Sequence, residues 1–246
     1  PNNQPLMYFT ADHLIEKPSK LISAINKNKS NLDEKNVFIF GIKPTNPSSE
    51  YGYFLTKNIK NINKVTRFIE KPKQAKAKEV IKQKGYWNSG MFVWRGSVLK
   101  SSFERHCPEL FDVFFSNLES YNTANENEFC KTSFEKCANI SIDYAIMEKE
   151  KDVVVILSKF GWSDLGTWGS IQDIREKDSN GNTQNHNDIH FFDSKNCFVH
   201  SEENKTTVID GLHNFIIVDT SEKLMILKRD NEQRLKKYLQ ELEVKK

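Results

Sequence analysis

Two acidic residues follow apolar runs at positions where a carboxylate could bind a cation. Asp12 comes shortly after the run Leu6–Thr10, and Asp164 comes after Val153–Leu157, inside the segment Gly161–Trp168. Because open α/β sheets bind ligands at the carboxyl ends of their strands, both acids are predicted ligands of Mg²⁺ together with substrate phosphates. The alternative for each acid is a helix cap, with the tryptophans of the segment packed in a core.

A pair of charged residues ends the predicted strand Lys64–Ile69. Glu70 and Lys71 stand before Pro72, which restricts the direction of the backbone at this point. A lysine ammonium suits a phosphate, and a glutamate can accept hydrogen bonds from sugar hydroxyls. The alternative is a surface ion pair, and a second copy of the tripeptide at Glu16–Pro18 shows that this pattern alone indicates little.

Two short segments join aromatic, polar and glycine residues in a way that suits a hexose. These segments are Tyr51–Tyr53 and Trp87–Gly90. Aromatic rings can stack on the face of a sugar, while amide and hydroxyl groups form hydrogen bonds with its hydroxyls. The alternative is that each segment is a bend in a strand, with its aromatic residues packed inside.

The elements that must position these residues alternate between apolar runs and helical patterns, which predicts an α/β domain. A helix is predicted at Gln74–Lys84, ending before Gly85, and two others begin with Ser97 and Ser141 as N-caps. Asn122–Lys131 is polar enough to predict an exposed loop. The predicted buried strands are Leu6–Thr10, Val37–Ile42, Lys64–Ile69, Met91–Trp94 and Val153–Leu157.

The segment Asp178–Asp188 is rich in turn-forming residues and nearly free of apolar ones, which predicts a domain boundary. The expected domains are 1–180 and 186–246. Short strands then recur about every eight to ten residues, a spacing that fits a β-solenoid, a sandwich or a barrel. Apolar residues at helical spacing predict a closing helix over Asn231–Val244. The predicted strands are Ile189–Phe192, Cys197–His200, Thr206–Ile209, Phe215–Val218 and Leu224–Leu227.

Charge and cysteine content exclude several classes of protein. The formal net charge is +3, from 36 basic and 33 acidic residues spread along the chain, which is not the pattern of a nucleic-acid-binding protein. No apolar run approaches the roughly 18 to 20 residues of a membrane helix, and the first residues lack a signal-peptide pattern. The four cysteines form no C-x-x-C pair or zinc motif, so reduced thiols in a cytoplasmic protein are expected.

Seven ordered segments of the chain resemble the motifs of bacterial mannose-1-phosphate guanylyltransferases, within the sugar-1-phosphate nucleotidyltransferase family. The resemblance covers essentially the whole chain, and an ordered series is far more specific than any single motif. It implies a Rossmann-like α/β nucleotidyltransferase domain, then a small domain similar to a left-handed β-helix, and a C-terminal helix. The segments are Ala11–His13, Phe40–Thr45, Glu50–Tyr53, Phe68–Pro72, Trp87–Phe92, Ser141–Glu148 and Gly161–Trp168.

The resemblance implies a reaction in which mannose 1-phosphate attacks the α-phosphorus of GTP, with Mg²⁺ as cofactor, to give GDP-mannose and pyrophosphate. By the matching positions, Asp12 and Asp164 hold the metal, and Lys71 contacts the sugar phosphate. Asp143 is a weaker correspondence, because a helix dipole also favours an acid in the first turn. The residues implied at the sugar site are Gly52, Tyr53, Glu70, Asn88 and Asp143.

One part of the family pattern has no counterpart in this sequence. The family opens with a glycine-rich G-x-G-x-R-x-x-P signature and a downstream Pro-Lys, which hold the triphosphate, and no segment here fits them. We therefore expect a fragment or an incomplete gene product, with little transferase activity as this chain alone. The alternatives are a transferase for another hexose 1-phosphate or nucleotide, and a non-catalytic sugar-phosphate-binding regulatory subunit. Exposed strands of the small domain would suit a homodimer interface.

Overall fold

Strands and helices alternate along the chain in the computed structural model, which describes residues 4–31, 35–59, 62–157, 159–202 and 205–243. No helix in these ranges is both long and apolar enough to cross a membrane. The α-helices in the same ranges are α1 (Pro18–Asn28), α2 (Gln74–Lys82), α3 (Gly96–His106), α4 (Pro108–Phe115), α5 (Glu126–Lys136), α6 (Trp168–Ile174) and α7 (Leu235–Glu243). The strands are β1 (Pro5–Tyr8), β2 (Leu14–Ile15), β3 (Val37–Ile42), β4 (Tyr53–Ile59), β5 (Ile62–Ile69), β6 (Tyr86–Arg95), β7 (Val153–Leu157), β8 (Trp162–Ser163), β9 (Thr183–Gln184), β10 (Ile189–Phe192), β11 (Phe198–His200), β12 (Thr207–Asp210), β13 (Phe215–Asp219) and β14 (Leu224–Lys228).

The chain divides into two units. One consists of Pro1–Ala11 and Ile15–Trp162, and the other consists of Asp12–Leu14 and Ser163–Lys246. The first unit is built on a mixed sheet with the strand order β1-β6-β3-β7-β5-β4, in which β3 and β7 are parallel. The second contains short strands and α7. The predicted α/β class of the first part of the chain is confirmed.

The central strand β3 is buried on both faces of the sheet. Val37 and Ile39 pack on one side, with α3, while Phe38 and Phe40 pack on the other side, with α1. A strand covered on both faces reads as a continuous apolar run rather than as an alternating one. For this reason the sequence predicts β3 and β7 with the bounds that the structure shows.

The first strand differs from its prediction. β1 lies at the edge of the sheet and, among the described strands, pairs only with β6. Leu6, Met7 and Tyr8 are consequently about half exposed. The prediction of a buried strand at Leu6–Thr10 was wrong, because apolar composition does not distinguish an edge strand from a central one.

The predicted loop at Asn122–Lys131 was also wrong, because α5 occupies most of this segment. Most of its polar residues face outwards, although Ser133 is buried, and two of its aromatic rings contact other segments. Phe129 packs edge-on against Tyr121 at 5.3 Å, and Phe134 packs against Phe114 at 5.1 Å between ring centroids. These contacts join segments that are separate in sequence, so a local reading of polarity could not include them.

One of the two predicted N-caps is not observed. The N-cap of α3 is Arg95, without a side-chain cap, so Ser97 lies inside the helix. Ser141 Oγ does accept the N–H of Tyr144, at 3.5 Å, but the element that follows is a single π-helical turn at Asp143–Met147 rather than an α-helix. Three buried apolar side chains of that turn belong to the core on the α3 side of the sheet, and this packing decides its geometry.

Parallel strands stack in the second unit as the coils of a β-solenoid. β9, β11 and β13 pair in parallel, and β10 pairs in parallel with β12. Thr183, Phe198 and Ile216 stand in register, so one coil takes 15 or 18 residues. β14 then returns antiparallel to β13. Of the architectures left open by the strand spacing, the structure shows the solenoid.

Buried polar residues hold the first coil of this solenoid. Asn182 Oδ1 accepts the N–H of Cys197, and its Nδ2 donates to the carbonyl of Ser194, both at 3.0 Å. These residues belong to or face the turn-rich segment 178–188. The domain boundary predicted at that segment stays a prediction. The closing helix is observed as α7, and Val244, at its predicted end, lies outside the described residues.

Side chains just before α7 hold the first turn of α6. Glu232 Oε1 accepts the N–H of Gly169 at 2.9 Å, and the guanidinium of Arg229 donates to the Gly169 carbonyl at 3.2 Å. Arg229 also pairs with Asp173 at 2.6 Å. A Cβ at residue 169 would lie 2.7 Å from Glu232 Oε2, so a larger residue here would displace the Glu232 carboxylate. Both backbone polar groups of one residue are thus bound by the segment 229–232.

Candidate functional site

Glu70 lies directly after β5 with its carboxylate buried. Its side chain is 6% exposed, and Oε2 has no hydrogen-bond partner within the described residues. Gly52 provides the space, because a Cβ at this position would contact Glu70 Oε2. A buried acceptor without a partner costs about 1–3 kcal/mol, so its presence indicates a site for an external hydrogen-bond donor.

A bulge in β6 directs Asn88 between two neighbours of this carboxylate. β6 bulges opposite Phe40, where Gly90 adopts a φ of 69°. The Gly90 N–H donates to Asn88 Oδ1 at 3.0 Å, and Asn88 Nδ2 donates to Asp143 Oδ1 at 2.9 Å. The Asn88 N–H donates to the carbonyl of Gly52 at 2.8 Å. Asn88 therefore connects Gly52, through its backbone, with Asp143, through its side chain.

Asp143 is the first residue of the π-helical turn. Such turns are rare and occur often at functional sites. Burial raises the pKa of Asp143, while the hydrogen bond from Asn88 and the charge of Lys71 oppose that shift. The surroundings of this carboxyl group thus disfavour its charged form, and a hydrogen-bond donor that bound there would stabilise that form.

Lys71 provides positive charge next to these acids. Its Nζ lies 3.6 Å from Glu70 Oε1, and its side chain is 54% exposed. The backbone φ of Lys71 is 42°, a left-handed conformation that is unfavourable for a residue before proline. Strained backbone of this kind persists where the surroundings impose it, and often at binding sites. Glu148 contributes here, because its Oε1 accepts the N–H of Glu70 at 3.1 Å.

The electrostatics of the cluster are dominated by burial of Glu70. Burial raises the pKa of this carboxyl to about 7, and the charge of Asp143 raises it as well, while Lys71 lowers it. The cluster combines acceptors for hydroxyl groups with the half-exposed ammonium of Lys71. Chemically, this arrangement suits a polyhydroxylated ligand that carries an anionic group.

Tyr53 lies in a different place from the predicted one. It is fully buried, and its hydroxyl donates to the carbonyl of Ser48 at 2.8 Å. Tyr53 packs against Trp87 in the core, so it supports Gly52 from inside. Tyr51 packs edge-on against Trp87 at 4.8 Å and against Trp162 at 5.4 Å between ring centroids. The alternative of aromatic packing, rather than stacking on a sugar, describes Tyr53.

Asp12 and Asp164 both belong to the second unit, and the short β2–β8 pair joins the segments next to them. The backbone hydrogen bonds beside this pair follow an antiparallel register, so both acids stand at the same end of it. The Asp12 side chain is 87% exposed, and His13 Nε2 lies 3.9 Å from its Oδ1. Asp12 therefore stands in solvent rather than at the buried strand end that the sequence predicts.

Asp164 lies in a tight turn that leads into α6. Leu165 has a φ of 51°, and its N–H donates to Ser163 Oγ at 3.2 Å. The Asp164 carboxylate folds back over Gly166, where a Cβ would lie 2.6 Å from Oδ2. Thr167 then forms a capping box at the start of the helix. Backbone geometry and a glycine together determine the direction of this carboxylate.

The donors at Asp12 and Asp164 fit a hard cation. Mg²⁺ commonly takes one or two carboxylates, with water and substrate phosphates completing its shell. Gly166 leaves open the space beside the Asp164 carboxylate that a side chain would fill. Across the described ranges, no group of three or more His, Cys, Asp or Glu residues could hold a metal ion. A metal site at Asp12 and Asp164 stays a prediction, and water or ligand oxygens would have to complete its shell.

The structure thus brings Glu70, Lys71, Asn88 and Asp143 into one cluster, as the motif order implies. Sequence analysis missed Glu148. Its position five residues after Asp143 would face away in an α-helix, whereas a π-helical turn places both on one side. The N–H of residue 148 bonds the carbonyl of Asp143 at 3.0 Å, which is the π-helical pattern. Without that geometry, its role could not be read from spacing.

Two family models match the chain. The model described as Nucleotidyl transferase matches residues 1–181, and the model described as MannoseP isomerase/GMP-like beta-helix domain matches residues 189–242. These matches agree with the α/β sheet and the solenoid of the structure.

The similar proteins are named either for polysaccharide biosynthesis or as mannose-1-phosphate guanylyltransferases. The alginate biosynthesis protein AlgA of Pseudomonas fluorescens is 33% identical over 243 residues, which is 96% of this chain and 50% of AlgA. A mannose-1-phosphate guanylyltransferase of Escherichia coli is 31% identical over 255 residues, which is 99% of this chain and 54% of the relative. The chain spans about half the length of the curated relatives it matches.

A solved structure has the same fold. A protein described as mannose-1-phosphate geranyltransferase from Thermus thermophilus superposes with a TM-score of 0.80 at 24% identity, over 97% of this chain and 70% of that chain. The nucleotidyl transferase model covers well over half of the present sequence. The chain therefore belongs to the nucleotidyl transferase family.

Proposed function

We propose that this protein transfers GMP from GTP to mannose 1-phosphate, which gives GDP-mannose and pyrophosphate. The observation that carries the proposal is the buried Glu70 carboxylate, whose Oε2 lacks a partner within the described residues beside Asn88, Asp143 and Lys71. Relatives named mannose-1-phosphate guanylyltransferase support the substrates, and relatives named for alginate and xanthan biosynthesis support a role in polysaccharide biosynthesis.

The reaction needs alignment and charge neutralisation rather than covalent catalysis. A phosphate oxygen of mannose 1-phosphate attacks the α-phosphorus of GTP, the bond to the β-phosphate breaks, and pyrophosphate leaves. We assign Lys71 to the sugar phosphate, and Glu70 and Asn88 to the sugar hydroxyls. Asp12 and Asp164 would hold Mg²⁺, which supplies further neutralisation of phosphate charge when bound.

A homodimer and a cytoplasmic location belong to the same proposal. An apolar groove of about 540 Å³ runs between β14 and α7, and Leu224, Ile226 and Leu242 are exposed there. A second copy would bury this surface, so light scattering should give about twice the 28.6 kDa of one chain.

The cysteines are free, which supports a reducing compartment.

Calorimetric titration with mannose 1-phosphate and, separately, with GTP, each with Mg²⁺, tests the proposal. Lys71→Ala should weaken mannose 1-phosphate binding by about 10- to 100-fold, because it removes a charge-assisted contact. Lys82→Ala, at the exposed end of α2, is the control and should bind as the wild type does. Binding of another hexose 1-phosphate in preference to mannose 1-phosphate would favour the alternative transferase. Sugar-phosphate binding without release of pyrophosphate by the whole protein would favour a regulatory subunit.

A further inference from the structure

Glu148 lies next to the cluster of Glu70, Lys71, Asn88 and Asp143, and the proposed reaction assigns it no role. Its Oε1 accepts the backbone N–H of Glu70 at 3.1 Å, across 78 residues of sequence. The residue is exposed, but its charge acts on the pKa of both Glu70 and Asp143. The contact connects the π-helical turn directly to the end of β5.

The backbone that Glu148 holds is the strained one. Lys71 follows Glu70 with a φ of 42°, and a residue before proline prefers an extended conformation. If the N–H of Glu70 lost its acceptor, the turn could relax towards that extended conformation. The Lys71 ammonium, now 3.6 Å from Glu70 Oε1, would then move away from the carboxylate.

Charge gives Glu148 a second effect on the same residue. The π-helical turn presents Asp143 and Glu148 to Glu70, and both raise the pKa of its carboxyl, while the adjacent Lys71 lowers it. Glu148 is the smaller of the two acidic contributions. It therefore adjusts the protonation of Glu70 without carrying the whole shift.

We propose that Glu148 is a positioning residue, which holds the Glu70–Lys71 turn for the sugar phosphate and keeps negative charge next to Glu70. Its role towards the sugar phosphate rests on the proposed function, whereas the contact and the charge are independent of it. Glu148 acts through Glu70 and is assigned no contact with the reacting atoms or the ligand.

Carboxyl-carbon NMR of the glutamate-labelled 246-residue chain tests the charge effect without ligand. Glu148→Gln keeps an oxygen acceptor for the N–H but removes the charge, so the titration midpoint of Glu70 should fall below its wild-type value, while burial still holds it above the ordinary range. Glu135→Gln removes an equal charge on the exposed side of α5 and should leave the midpoint unchanged. An unchanged midpoint in Glu148→Gln would overturn this part of the inference.

Titration with mannose 1-phosphate tests the positioning. Glu148→Ala should lose about 10-fold in affinity, because it removes the anchor of the turn, and Glu148→Gln should lose much less. Equal binding by Glu148→Ala and the wild type overturns the positioning role, and circular dichroism of each variant checks the fold. If the wild type fails to bind while the Glu70 midpoint still shifts, the proposed function fails and the charge effect stands. If the wild type binds and neither variant differs from it, the inference fails and the function stands.

Discussion

The Glu70 carboxylate and the carboxylates of Asp12 and Asp164 lie in contrasting surroundings. In the first unit, Glu70 is almost fully buried, and burial raises its pKa to about 7. In the second, Asp12 stands in solvent, and Asp164 is directed by a tight turn. A buried acceptor selects for a specific donor because water cannot replace that donor, whereas a carboxylate in contact with solvent can bind a cation that keeps part of its water shell. The buried Glu70 carboxylate therefore costs folding stability when no donor is bound, and the solvent-exposed Asp12 carboxylate does not.

The largest expected effect comes from Glu70→Gln, which tests the buried side of this comparison. Mannose 1-phosphate binding should fall more than about 100-fold, because the charged acceptor is lost. At pH 8 the free energy of unfolding should rise by about 2 kcal/mol, because an ionised carboxylate no longer has to be buried. Urea denaturation and calorimetric titration measure the two changes.

The same variant gives a pH dependence of known sign. The pKa of Glu70 is about 7 in the folded chain and near 4.5 when unfolded. Its contribution to stability is therefore present below pH 4.5 and is lost as the pH rises to 7 and above. The wild type should lose this stability over that window, and Glu70→Gln should not. Parallel stability curves for the two proteins would break the comparison.

The next effect concerns Asp12 and Asp164. Asp12→Asn and Asp164→Asn should each weaken Mn²⁺ binding, used as a spectroscopic probe for Mg²⁺, by about 10-fold or more. Asp12→Asn should change the free energy of unfolding by less than about 0.5 kcal/mol, because its side chain is exposed. Electron paramagnetic resonance measures free Mn²⁺, and unchanged binding in Asp12→Asn would remove it from the metal site.

The smallest effect concerns the space beside Glu70. Gly52→Ala should destabilise the chain by about 1 kcal/mol, the lower end of the cost of overpacking, because the new Cβ collides with Glu70 Oε2 at the end of its side chain. In a Glu70→Ala background the same change should cost little, since the collision partner is gone. A double-mutant cycle by urea denaturation measures the coupling, and additive effects would show that Gly52 is not needed for this carboxylate.

Sequence reasoning succeeded where local pattern carries the physics. β3 and β7 are continuous apolar runs because both faces are covered, and the ordered motifs selected Glu70, Asn88 and Asp143, which lie together in the structure while their roles stay predictions. It failed where tertiary contacts decide. The edge position of β1, the packing of α5 against α4 and the contact of Glu148 with Glu70 all depend on tertiary neighbours rather than on local sequence. β4 was missed because its second half is polar.

The grip on Gly169 links the Asp164 turn to the end of the chain. Arg229 and Glu232 hold both backbone groups of Gly169, at the start of the helix that the turn enters. Because these contacts join the two segments, we expect them to unfold together, and any ion that bound the folded turn would shift that equilibrium by mass action. An ion at about a hundred times its dissociation constant would add about 2.7 kcal/mol. Thermal unfolding would then measure the proposed metal affinity without any catalytic assay.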